Sequence, residues 1–148
     1  MKRIIEYKSL FGIKDETNLA DLKVKYRNLI KDWHPDKIQD DELRKAQAEV
    51  LSKKIIEGYH FLVSISPETH AQNQEAYLEL INSSVVLDFE YRGQTLKITF
   101  HDKSTYEYFG VPRNVYTKLV NSSTRSRFAR RHIYHEFTYR NASKSVNQ

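Results

Sequence analysis

At Asn82-Ser83-Ser84 the repeat of apolar residues changes from helical to alternating. This limits the chain to a helical part followed by a part built on strands. Before the change, Leu22, Tyr26, Leu29, Ile30 and Trp33 fall on one stripe of a helix. After it, Val85, Leu87, Phe89 and Tyr91 alternate with Val86, Asp88, Glu90 and Arg92, which is strand spacing. Charge changes with period. Residues 1–83 hold 13 Lys/Arg against 14 Asp/Glu, whereas residues 84–148 hold 11 against 5. The whole basic excess therefore lies in the second part, a reason to expect two domains with different partners.

The expected fold class is α+β. An N-terminal helical domain over residues 1–82 consists of an antiparallel helix hairpin with short flanking helices. A small domain over 83–141 holds an antiparallel sheet of three or more strands and one or two helices, and 142–148 form a polar tail. With 39% hydrophobic and 29% charged residues the chain reads as globular. No apolar run approaches the roughly 20 residues of a membrane span. Met1-Lys2-Arg3 is followed too soon by Glu6 to be a signal peptide. Cysteine is absent, which removes disulfides and thiolate zinc sites and fits a reducing compartment, so the cytoplasm is the expected location.

Asn18 or Thr17 can cap the helix that ends at Trp33, with Asp21 in its first turn. The next helix should begin near Asp40-Asp41-Glu42 and run to about Ser64, with Leu43, Ala46, Val50, Leu51, Ile55, Tyr59 and Leu62 in the core. Ser66-Pro67 starts a fresh helix reaching Leu80 or Ile81. Between the two long helices stands His34-Pro35-Asp36. Pro35 disfavours helical geometry at His34, so a charged loop is held at the end of a helix whose Lys23, Arg27 and Lys31 form a basic stripe.

These residues resemble the J-domain of the DnaJ co-chaperones. Tyr7 and Leu10-Phe11-Gly12-Ile13 match its first helix, Leu22, Tyr26, Arg27, Leu29 and Trp33 its second, and His34-Pro35-Asp36-Lys37 its signature loop. Lys54-Ile55-Ile56-Glu57-Gly58-Tyr59 and Leu62 match its third. Ser52 departs from a typical buried aromatic, Asp32 from a commonly basic position, and no basic run occupies Glu68 to Leu80. The resemblance implies docking of His34, Pro35 and Asp36 on a DnaK-type ATPase, whose hydrolysis they trigger. Asp36 would pair with an arginine there, while Lys23, Arg27 and Lys31 steer association onto an acidic surface. The expected role is that of a cofactor protein, not an enzyme.

In the second part, Arg92-Gly93-Gln94 and His101-Asp102-Lys103-Ser104 read as turns between strands. Helices are expected at Asn114 to Val120 and Thr124 to Ile133, then a terminal strand or helix extension at Tyr134 to Tyr139, with frayed residues after Asn141. Leu96-Lys97-Ile98-Thr99-Phe100, Tyr106-Glu107-Tyr108, Val111-Pro112, Val115-Tyr116, Leu119 and Ser126-Arg127-Phe128 to Ile133 resemble the KTSC domain. That resemblance implies a fold more than a job. Arg125, Arg127, Arg130 and Arg131 could contact phosphates, with Tyr106 or Tyr108 stacking on unpaired bases. A protein-binding surface, for a client or another partner, is the competing reading, and alternate tyrosines more often pack across strands. His132 and His135 lack a third ligand nearby, so no metal is expected. No nucleophile–base set or phosphate-cradling glycine loop is present, and neither catalysis nor a cofactor is expected. The function expected is that of a co-chaperone with a targeting domain; a DNA- or RNA-binding protein using the J-like segment as scaffold is the alternative.

Overall fold

Asn18 starts the helix that leads to His34: its Oδ1 accepts the Asp21 amide at 2.8 Å, satisfying a donor the helix cannot. The same device recurs at Asp41, whose Oδ1 accepts the amides of Leu43 and Arg44. In the computed structural model, which describes residues 2–14, 17–37 and 41–143, these caps open α2 (Leu19–Trp33) and α3 (Glu42–Ser64). α1 (Lys2–Leu10) precedes them, and a short 3-10 turn covers Pro35–Lys37. Asp40, part of the expected start of α3, lies outside the described residues. Ser66 Oγ accepts the Glu68 amide at 3.2 Å and opens α4 (Pro67–Gln72). The helix expected to continue to residue 80 instead breaks at Asn73 and resumes as α5 (Gln74–Ser83).

Contacts divide the chain into Lys2–His70 and the residues from Ala71 onward. In the first unit α3 packs against both α1 and α2. Ile4, Phe11, Leu22, Ala48, Ile55, Phe61 and Leu62 are buried. Tyr7 lies against Phe61 with ring centres 5.1 Å apart, and Tyr26 stacks on Tyr59 at 4.2 Å. Three residues expected in this core are not in it. Leu43 and Val50 are 70% and 72% exposed, and Ala46 is exposed too. The buried face of α3 runs through Ala48, Ser52, Ile55 and Gly58. Its small side chains let the neighbouring helices come close. Ser52, which replaces the expected aromatic, is itself buried and returns its hydroxyl to the Glu49 carbonyl at 3.3 Å.

In the second unit α5 is followed by β1 (Val86–Arg92), β2 (Thr95–Phe100), β3 (Thr105–Phe109), α6 (Arg113–Asn121), α7 (Arg125–His132) and β4 (Thr138–Asn141). The strands form an antiparallel sheet in the order β1-β2-β3-β4. Gly93 and Gln94, both at positive φ (56° and 65°), make the two-residue turn between β1 and β2. On the covered face Leu96, Ile98, Phe100 and Tyr108 pack with Leu119, Ala129 and Ile133. On the other face Glu90, Lys97, Glu107 and Arg140 stand opposite one another across all four strands, alternating in sign. Arg140 closes this row with a 2.6 Å bond to Glu107.

Packing extends this unit past the limits expected for its domain. By contacts the unit begins at Ala71, ahead of the expected boundary at 82, because Tyr77 and Ile81 of α5 belong to the core of the sheet. Tyr77 donates to the Tyr134 carbonyl at 2.9 Å and shares a 2.9 Å hydroxyl bond with Tyr108. The polar tail is also shorter than expected. Ala142 donates to the Thr105 carbonyl at 2.7 Å and Ser143 Oγ accepts the Thr105 amide at 2.8 Å. Residues 144–148 lie outside the described residues.

Candidate functional site

α2 ends at His34 because the residue before a proline leaves helical geometry: its φ and ψ are −66° and 131°. The chain turns immediately, with the Lys37 amide donating to the His34 carbonyl at 3.0 Å. The Asp36 amide donates to His34 Nδ1 at 3.2 Å. Asp36 Oδ2 lies 3.6 Å from the same nitrogen, a contact that would be an ion pair only if Nδ1 carried a proton. The amide bond is the shorter of the two contacts, and both fall on Nδ1. The ring is thus fixed at one nitrogen and offers the other. His34 and Asp36 side chains are 50% and 84% exposed. Lys23, Arg27 and Lys31 are all exposed on the helix that leads to them. The loop and the basic stripe expected from sequence are brought together on α2 and its C-terminal turn.

The residues singled out in the second unit separate into two groups. Tyr108 is fully buried, held by Tyr77, and has no face for a base to stack on. Its hydroxyl is pushed well above the ordinary value, first by desolvation and then by neighbouring tyrosines. Tyr106 is half-buried between the rings of Tyr77 and Phe100, at 5.5 and 5.8 Å. The stacking role expected for Tyr108 is therefore corrected: alternation placed it on the covered face of the sheet. Arg125, Arg127 and Arg131 are exposed and Arg130 is half-buried, all on α7. Arg125, Arg127 and Arg130 line a cleft with Val85, Leu87 and Phe89 of the β1 region. Arg131 is not among the lining residues. The apolar wall was missed in the sequence because alternation alone does not say which strand lies at the sheet's edge. Among the described residues no group of three His, Asp or Glu side chains stands close enough to hold a metal ion.

The KTSC domain family matches residues 82–137. DnaJ homolog subfamily C member 11 from Bos taurus is 39% identical over 66 residues, which are 45% of this chain and 11% of that protein. DnaJ homolog subfamily B member 6-B from Xenopus laevis is 36% identical over 59 residues, 40% of this chain and 23% of that protein. The chain thus spans less than a quarter of either relative's length. No helix among the described residues is long and apolar enough to cross a membrane. The family match takes in β1 to β3, α6 and α7, and the similarity to DnaJ homologs together with the His34-Pro35-Asp36 turn closing α2 supports an arrangement of a J-domain followed by a KTSC domain.

Proposed function

We propose that the chain is a co-chaperone that docks through His34, Pro35 and Asp36 on a DnaK-type heat-shock chaperone and stimulates its ATP hydrolysis. Its KTSC domain supplies targeting or partner binding. The observation that carries this reading is the loop itself. His34 Nδ1 is occupied by the Asp36 amide, leaving the ring's Nε2 side and a highly exposed carboxylate to engage a partner. Asp36 then suits a guanidinium, held through paired charge-assisted bonds. Lys23, Arg27 and Lys31 raise the encounter rate with an acidic surface more than the affinity, so the stimulation weakens as salt rises. No bond is made or broken on this chain; ATP and its hydrolysis belong to the partner.

Single-turnover ATP hydrolysis by a DnaK-type chaperone tests this. Wild type should accelerate the turnover, while His34→Gln and Asp36→Asn should lose the acceleration with the helical circular dichroism unchanged. A folded wild-type protein that leaves the rate unaltered would refute the reading.

A further inference from the structure

We propose that the cleft between the start of β1 and α7 is a docking groove for an extended peptide segment of a partner protein, in which acidic and bulky aliphatic side chains alternate. The cleft encloses about 620 Å³. One wall is apolar, formed by the exposed Val85 and Leu87 with Phe89 behind them. The other carries Arg125, Arg127 and Arg130 beside the hydroxyl groups of the 122–124 loop and of Ser126 in the first turn of α7. No carboxylate lines it, and none of the three arginines forms an ion pair among the described residues. Arg125 is already placed, donating to the Val120 carbonyl at 3.2 Å and lying 5.4 Å over the Phe89 ring. A planar donor held in this way loses little freedom when it meets a carboxylate. The wall opposite offers aliphatic surface that only an apolar side chain can cover.

The same residues decide against other occupants. A nucleic acid strand would satisfy the arginines but leave Val85 and Leu87 wet. It would also find no free ring for its bases, since Tyr108 is buried and Arg125 covers Phe89. Addition of a fifth strand is opposed as well. The Val86 amide faces Ser126 Oγ at 3.4 Å, the Phe89 amide donates to Asp88 Oδ1 at 2.9 Å, and the pairing shifts register between Val86 and Asp88. The peptide is therefore held by its side chains, acidic ones on the arginines and aliphatic ones on Val85 and Leu87. This assignment does not depend on whether the His34 loop engages a chaperone.

Fluorescence anisotropy with the full chain tests it, using a labelled octapeptide that alternates Glu with Leu. Two control peptides carry Lys for every Glu or Ser for every Leu, and a labelled oligouridylate is the nucleic-acid probe. The Glu/Leu peptide should bind at least about tenfold more tightly than either control and than the oligouridylate. Arg127→Gln and Leu87→Ser, both at exposed positions, should each weaken it by about fivefold or more, while His34→Gln leaves it unchanged. Equal or tighter binding of the oligouridylate, insensitive to Leu87→Ser, would make the cleft a nucleic-acid site and overturn the proposal. So would absence of peptide binding by folded wild type. Concentration-dependent dimerisation abolished by Leu87→Ser would make a second copy the occupant and overturn it equally.

Discussion

A Cβ built on Gly58 would stand 2.7 Å from Tyr7 Cδ1 and 3.2 Å from Phe11 Cε1. The absent side chain is what lets α1 settle on α3, with Tyr7 reaching Phe61 and Arg3 lying 4.6 Å over the same ring. Gly58→Ala gains a little intrinsic helix propensity, up to about 1 kcal/mol. It must also push a packed aromatic ring aside, and such overpacking costs about 1–3 kcal/mol. We expect net destabilisation, read as a lower urea midpoint with an unchanged m-value; a midpoint equal to or above wild type would show that Tyr7 yields freely. At this scale the sequence was readable wherever a residue acts on its own backbone. Asn18 and Ser66 cap as their chemistry requires, and Gly93 turns the first hairpin. His34 stops α2 as the following proline demands. The second bond of His34, to the Asp36 amide, was not readable, because it depends on the loop's closed shape.

Among the elements, α3 separates size from burial. Its large apolar residues Leu43 and Val50 face water, while Ala48, Ser52 and Gly58 face the other helices. Reading the sequence by hydrophobic size selected the wrong rows in the first half of the helix, although Ile55 and Leu62 were placed correctly. Close helix packing rewards small contact residues as readily as large ones, and periodicity cannot tell a small buried residue from a small exposed one. The consequence can be measured by thermal unfolding. Ala48→Leu, at a position with no exposed surface, should cost about 1–3 kcal/mol, whereas Val50→Ser should stay within about 0.5 kcal/mol. The reverse ranking would mean that the large apolar row is the packed one. The strands of the second unit were more legible, since alternation assigns both faces at once. Pairing of Glu90 with Lys97, and of Glu107 with Lys97 and Arg140, reinforces the register that alternation permits.

For the molecule as a whole, the least legible feature was the membership of α5. Its helical period placed it with the preceding helices, yet Tyr77 and Ile81 complete the core of the sheet, and only tertiary contacts could reveal this. The cleft at α7 was hidden for a similar reason, being assembled from β1, a loop and a helix far apart in sequence. The tyrosines gathered around α5 give the second unit a pH limit. Burial raises Tyr77, Tyr106, Tyr108, Tyr134 and Tyr139 above the ordinary value of 10.0, with Tyr139 pushed up to about 12. In the unfolded chain these hydroxyls ionise first, so the unfolded state releases protons while the folded state retains them. Their contribution to stability is complete below about pH 10 and falls as pH rises through the higher folded values. The urea midpoint should fall steeply between pH 10 and pH 12, and less steeply in Tyr139→Phe; a midpoint independent of pH across that range would contradict the buried cluster.

Trp33, the residue before His34, is the chain's only tryptophan and is 37% exposed. An indole whose surroundings change from water to protein alters its emission, so the loop has a fluorophore of its own. Excited apart from the ten tyrosines, it would turn the arrival of a partner at His34 into an optical signal without a label. The lining of the cleft beside α7 contains no tryptophan. Recognition at the two ends of the chain can thus be followed in one cuvette, with intrinsic emission for the loop and anisotropy of a labelled peptide for the cleft.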